Sequence, residues 1–289
     1  MKHSRALQIA RLMLALLGAF VLLGPAAHLP TATASARAAH GQVTETTFQG
    51  LADGRLRHVW IYTPPADSAK VATERDLLLV FDGGQYLDEI PLPRMLDSLI
   101  ASRRIPPMVA VLVDDSTGSA RLADLANQER FVTLIADELM PWVRERWKVT
   151  RDPHRSFITG SSAGGLAAAF LATRRPDLFG NVLSQSGAFW RGAAGSNGPP
   201  FEWLTAQIGS SPRRDVRYVL DVGSTESRGA IGGTAPSILD ANRRLRDALR
   251  ARGYEVTYTE IPGGVHAPLT WSPRLPVGLV ALAGTPAGR

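Results

Sequence analysis

The chain has 289 residues, 45% of them apolar and 20% charged, enough for one large globular domain whose core needs no covalent staples. Cysteine is absent, which excludes disulfides, thiolate metal sites, a catalytic thiol and a lipoprotein anchor. The formal net charge of +6 rests almost wholly on arginine, since only Lys2, Lys70 and Lys148 are lysines, and it drops to about +3 without the N-terminal segment, so nucleic-acid binding is not suggested.

In chain order, the first predicted element is a leader. Lys2, Arg5 and Arg11 form a basic start, residues 12–23 are uncharged and apolar, and Ala34-Ser35-Ala36 offers a small-residue cleavage site. About a dozen apolar residues are too few for a comfortable membrane span. The reading is a secretory signal over 1–36, no stable membrane insertion after cleavage, and a periplasmic or secreted protein; the alternative is an uncleaved anchor facing the same compartment. No twin-arginine pair is present, which favours the general export route.

Residues 40–285 read as a single domain in which short apolar strands alternate with helical stretches, the pattern of an α/β fold with a mostly parallel sheet. Strands are predicted over 43–48, 56–62, 77–81, 108–113, 157–160, 181–184, 216–222 and 255–261, the first two as an antiparallel edge. Helices are predicted over 131–147, where Phe131, Leu134, Ile135, Leu139 and Trp142 share one face and Pro141 introduces a bend, then over 164–173 and 236–250. The stretch 191–200, mostly Gly, Ala, Asn and Pro, reads as a surface loop.

Between the fifth strand and the helix after it lies Gly160-Ser161-Ser162-Ala163-Gly164. A G-x-S-x-G pentapeptide alone is a weak signal; between a strand and a helix it is what the nucleophile elbow of an α/β-hydrolase requires. The turn forces the serine outward, and the following helix N-terminus offers N–H groups to a developing oxyanion. A serine nucleophile needs a base, and the base needs an acid, in the chain order Ser, acid, His. Of six histidines only His266 follows Ser162, in the loop Gly263-Gly264-Val265-His266 after the last strand. For the acid, Glu226 lies just beyond the strand-ending Gly223; Asp221 competes from within the strand, and Asp240 reads as a solvated or ion-paired helix residue. Oxyanion donors are expected from the N–H of Ala163 and, in the loop Phe81-Asp82-Gly83-Gly84-Gln85-Tyr86, from that of Gly84. No H-E-x-x-H or Asp-rich calcium loop occurs, so neither metal nor cofactor is implied.

These residues resemble the enterochelin (ferric enterobactin) esterase branch of the α/β-hydrolases. The likeness runs from Phe81-Asp82-Gly83 to Trp271 and is most specific in Arg121 to Phe131 ahead of Glu138-Leu139-Met140-Pro141-Trp142, in Gly160 to Leu166, and in Ser184-Gln185-Ser186-Gly187-Ala188-Phe189-Trp190. The resemblance implies an α/β-hydrolase sheet of about eight strands, the acid three residues beyond the strand-ending glycine at Glu226, and the base in a Gly-Gly-x-His loop five residues before Trp271. Two departures stand out: Ala267-Pro268 where many relatives have an Asp after the histidine, and Trp190-Arg191 where many have paired tryptophans.

Siderophore-cleaving members of this family hydrolyse tri-catecholate esters, large aromatic ligands that are anionic with iron bound and suit arginine and aromatic rings at the cleft. The implied binding residues are Arg121, which matches an Arg of the family pattern, with Trp190, Arg191, Tyr86 and Trp271. Arg121 has a competing reading as a salt bridge to Asp124 or Glu129, and Trp190 one as a core residue. Chain length adds the expectation that the extra N-terminal domain of cytoplasmic enterochelin esterases is missing. The rival functions are a general exported carboxylesterase or acyltransferase on aryl, acetyl or feruloyl-type esters, and a non-catalytic envelope binding protein.

Overall fold

Eight strands lie in one sheet, in the order β1-β2-β4-β3-β5-β6-β7-β8. In this computed structural model the described residues are 40–51, 53–66, 74–114 and 118–284. The signal reading over 1–36 falls outside them. The strands are β1 (Gln42–Gln49), β2 (Leu56–Thr63), β3 (Asp76–Phe81), β4 (Met108–Asp114), β5 (Ser156–Ser161), β6 (Asn181–Gln185), β7 (Arg217–Gly223) and β8 (Val256–Ile261). Each coincides with a predicted strand to within a residue or so at either end. β1 and β2 form the expected antiparallel edge, β2 also runs antiparallel to β4, and the remaining neighbours are parallel.

The central strands are buried on both faces, which is why they read as continuous apolar runs. The two-residue period of β3 divides its side chains: Leu77, Leu79 and Phe81 enter one core, Leu78 and Val80 the other. In chain order the helices are α1 (Gly83–Asp88), α2 (Leu92–Ala101), α3 (Gly118–Leu125), α4 (Glu129–Thr133), α5 (Met140–Arg146), α6 (Ala163–Arg174), α7 (Trp203–Ser210), α8 (Ile238–Ala251), α9 (Pro268–Trp271) and α10 (Leu275–Ala283). The first core takes Phe131, Leu139, Leu166, Phe170, Leu245 and Leu249 from α4 to α8, and the second takes Leu92, Leu96, Leu275 and Leu279 from α2 and α10. Helices therefore cover both faces of the sheet. None of the described helices is long and apolar enough to cross a membrane.

Two predicted helices differ in detail. The one expected over 131–147 is α4 and α5 joined through a π-helical stretch, Leu134–Leu139, immediately before Pro141. Proline has no N–H to give, and widening the ladder ahead of it accommodates that gap. The helix expected from 236 begins at Ile238, because Ser237 caps it by accepting the Asp240 N–H at 3.0 Å. Helix α6 is buried on every side from Ala163 to Thr173, and its alanines and glycines let it lie close against β5 and β6.

This topology brings five chain segments to one edge. The carboxyl ends of β3, β5, β6, β7 and β8 lead directly to Asp82, Ser162, Ser186, Glu226 and the His266 loop. In an open α/β sheet that edge is where ligands bind.

Candidate active site

Ser162 sits between the end of β5 and the first residue of α6, with φ 55° and ψ −117°. Such a backbone is strained for any residue with a β-carbon, and strain of this kind persists only where neighbours hold it. Here they do so through the main chain: Ser162 N–H donates to Gln185 O at 2.9 Å, and Ser162 O accepts from Leu166 N at 3.1 Å and Ala188 N at 2.9 Å. The turn closes so tightly that a β-carbon on Gly160 would stand 2.6 Å from the carbonyl carbon of Gly164. Gly160→Ala is accordingly expected to destabilise the fold by about 1–3 kcal/mol. A urea melt would read this as a lower midpoint; an unchanged midpoint would show that the turn can open without cost.

The loops after β7 and β8 meet each other, the Thr225 N–H donating to Gly264 O at 3.1 Å. His266 Nδ1 lies 2.5 Å from Glu226 Oε2. Glu226 is buried, and its other oxygen, Oε1, accepts from Ser186 Oγ at 2.6 Å and from Gly223 N at 2.8 Å. Trp271 packs its ring edge-to-face on His266, centroids 5.1 Å apart, and donates Nε1–H to Ser186 Oγ at 2.8 Å. The segment Gln185 to Ala188 thus supports both parts of the site: it anchors the Ser162 backbone and it supplies the hydroxyl under Glu226.

The competing carboxylates lie elsewhere. Asp221 is fully buried within β7 and accepts from Arg274 Nη2 at 3.2 Å. Burial pushes its carboxyl above the usual range, with Arg274 opposing. Asp240 accepts from the Ser237 hydroxyl at the start of α8. The other described histidines pair with carboxylates outside this group: His40 faces Asp97, His58 faces Glu45 and His154 faces Asp215.

The remaining predicted residues are placed less simply. Ala163 is the first residue of α6, where a helix leaves its N–H groups without intrahelical partners. The Gly84 N–H, in contrast, is donated to Asp114 Oδ2 at 3.2 Å, so in this conformation it is engaged by a carboxylate. Arg121 pairs with neither Asp124 nor Glu129. It makes a two-pronged contact with Asp82, through Nε to Oδ1 and through Nη2 to Oδ2, the latter at 2.6 Å. Asp124 instead holds the buried Arg57 at 2.7 Å, and Glu129 holds Arg174 at 2.8 Å.

Three aromatic residues expected along the cleft are buried instead. Tyr86 is 0% exposed and donates its hydroxyl to Gln185 Oε1 at 3.1 Å; burial pushes that phenol above its ordinary range. Trp190 belongs to the first core, with the Arg191 guanidinium 4.8 Å above its ring. Trp271 is turned toward Ser186 and His266. Arg191 is itself 9% exposed, bonded to Asn197 Oδ1 at 2.6 Å, and its Nε is buried without a hydrogen-bond partner. From 193 onward the predicted surface loop is largely exposed.

Sequence reasoning assigned no role to Asp82, Asp114, Gln185 or Ser186. Asp82 and Ser184-Gln185-Ser186-Gly187 carried a signal only as parts of stretches that resemble the family, and Asp114 carried none. Among the described residues no group of three or more His, Cys, Asp or Glu side chains could hold a metal ion.

Comparison with known proteins bears on the family and the fold. The esterase family described as "Putative esterase" matches residues 52–282. The iron(III) enterobactin esterase of Escherichia coli K12 is 31% identical over 228 residues, covering 79% of this chain and 54% of its own. The iron(III) salmochelin esterase of Escherichia coli O6:H1 is 28% identical, covering 82% of this chain and 57% of its own. The chain thus spans about half the length of the curated siderophore esterases it matches. Among solved structures, the Shigella flexneri enterobactin esterase crystallised in the presence of enterobactin superposes with a TM-score of 0.72 at 27% identity, over 83% of this chain and 58% of that one. A ferulic acid esterase with a TM-score of 0.68 at 16% identity shares the fold. An elbow serine on an eight-stranded sheet with helices on both faces, matched by this family over most of the domain, places the chain in the esterase family of the α/β-hydrolase fold.

Proposed function

We propose that this protein is an exported serine esterase that hydrolyses the ester bonds of a tri-catecholate siderophore of the enterobactin type. The observation that carries the esterase reading is the Glu226–His266 pair at 2.5 Å, built on the same segment that anchors the Ser162 backbone.

In this reading the Ser162 hydroxyl attacks the ester carbonyl while His266 Nε2 takes its proton. Glu226 holds Nδ1–H and stabilises the imidazolium as it forms. Negative charge on the carbonyl oxygen is met by the Ala163 N–H at the start of α6 and by a second backbone donor from the loop after β3. Gly84 supplies that donor if substrate displaces Asp114 from its N–H. The imidazolium then protonates the leaving alcohol, and water repeats the sequence to release the acid and restore Ser162.

The siderophore part of the reading is supported by the enterobactin and salmochelin esterases among the relatives. The export part is supported by the basic, apolar and small-residue succession over 1–36. A general carboxylesterase acting on aryl or feruloyl-type esters is the second reading, favoured by 24% identity to an endo-1,4-beta-xylanase/feruloyl esterase of Xylanibacter ruminicola across 80% of this chain.

A side-by-side kcat/KM on a ferric tri-catecholate lactone and on a simple aryl acetate, with Ser162→Ala as the blank, separates them. Preference for the lactone by at least about 100-fold is expected, a margin of the size that well-placed polar contacts to substrate supply. Hydrolysis of the acetate with the lactone untouched establishes the second reading. Activity on neither points to acyl transfer or to binding without catalysis.

A further inference from the structure

Beneath the Glu226–His266 pair lies a second layer made of Ser186 and Trp271, and its hydrogen bonds have a fixed direction. An indole nitrogen can only donate, so the 2.8 Å contact from Trp271 Nε1 delivers a proton to Ser186 Oγ. An ionised carboxylate can only accept, so the hydroxyl proton of Ser186 lies on the 2.6 Å line to Glu226 Oε1. Gly223 N–H approaches the same oxygen at 2.8 Å. With Oε1 fully engaged, Oε2 is left to face His266 Nδ1 at 2.5 Å.

The backbone at Ser186 suggests that its hydroxyl matters. The residue has φ 50° although a glycine, Gly187, stands next to it in the chain. Its N–H is held by Asp221 O at 2.7 Å. A glycine at 186 would adopt this conformation without strain and would leave Glu226 one donor short. Trp271 acts at two points, since the ring whose nitrogen fixes Ser186 also stands at 89° to the imidazole of His266.

We propose that Ser186 and Trp271 are positioning residues, a donor chain from indole to hydroxyl to carboxylate that fixes which Glu226 oxygen faces His266 and in what plane the imidazole lies. The proposal rests on the reading of Ser162, His266 and Glu226 as the catalytic group. Simple core packing would need the ring volumes but not the direction of the hydrogen bonds.

Trp271→Phe keeps an aromatic ring at the position but removes the indole N–H together with part of the ring volume; Ser186→Ala keeps the backbone and removes the hydroxyl. Ser186→Ala should lower kcat about 10- to 100-fold, the size expected for a hydrogen bond to a charged group, and Trp271→Phe about 3- to 10-fold, with KM for an aryl acetate changed by no more than about twofold. The double variant should be no slower than Ser186→Ala alone, because the indole N–H acts through the hydroxyl. The downfield proton resonance of His266 Nδ1 should move upfield in both single variants.

Full turnover in both variants with the resonance in place, or losses that simply add in the double variant, would overturn the proposal. If Ser186→Ala does not fold, kcat and the resonance of Trp271→Phe decide alone. Ser162→Ala, measured beside them, keeps the two readings apart: wild-type turnover there refutes the catalytic group itself, whereas an inactive Ser162→Ala beside a fully active Ser186→Ala refutes only the donor chain.

Discussion

Ser162→Ala and His266→Ala are each expected to lower kcat on any hydrolysed ester by about 10⁴- to 10⁶-fold, and the double variant to be no slower than either single one. A nucleophile and its base act as a unit: without the imidazole the hydroxyl keeps its proton, and without the hydroxyl the imidazole has nothing to activate. The Ser162 substitution is also clean. The bonds holding that residue run from its backbone N–H to Gln185 and from its backbone carbonyl to Leu166 and Ala188, so the alanine variant retains every one of them. Initial rates on an aryl acetate, beside a thermal melt of each variant, make the test. Near-wild-type turnover in both folded variants would remove the serine-esterase mechanism.

Exchanging the two buried carboxylates for their amides gives the second large contrast. Glu226→Gln should cost about 10²- to 10⁴-fold in kcat, while Asp221→Asn in a folded protein should leave kcat within about threefold. The amide at 226 can turn an N–H toward Nδ1, which drives the imidazole proton to Nε2, the atom that must accept from Ser162. It also removes the negative charge that stabilises the imidazolium. Asp221 instead faces Arg274 at 3.2 Å, and losing it leaves that cation without its buried partner, a cost to stability rather than to chemistry. Should Asp221→Asn prove the more damaging of the two, the acid assignment moves to Asp221.

The reasons why these residues were legible in the sequence are local. The elbow needs a tight strand-to-helix turn, and its requirements leave a mark within five residues. Gly160 stands where a side chain would meet Gly164, and Ala163 opens a helix short on bulk. His266 stood out because no other histidine follows Ser162, and Glu226 because a carboxylate just past a strand end reaches the sheet edge without a long loop. The alternation of apolar strands with helices was similarly local, and all eight strands were found where period and turn residues put them.

Burial and pairing across long sequence separations were not legible. Tyr86, Trp190 and Trp271 lie in segments that read as loops in the sequence, and a loop aromatic reads equally well as cleft wall or as core. The sheet turns all three inward, because apolar ring area is worth more packed than wetted. Arg121 had nearby acidic neighbours at Asp124 and Glu129, yet its partner is Asp82, 39 residues earlier, presented from a left-handed backbone at the end of β3. Short helices such as α1 and α9 hold too few turns for periodicity to reveal them.

By itself the sequence determined the class of fold and the tight turn at Ser162, and it singled out His266 and Glu226 as candidates for base and acid, since propensity, chain order and the geometry of one turn are properties of neighbouring residues. Only the tertiary structure decided that Glu226 shows one oxygen to His266 and the other to Ser186, that Asp114 takes the Gly84 N–H, and that the aromatic residues support the site from below. Those choices depend on which groups the sheet brings within about 3 Å of one another, the range in which hydrogen bonds form. That range is set by the packing of five strand ends and lies beyond any pattern in a single segment.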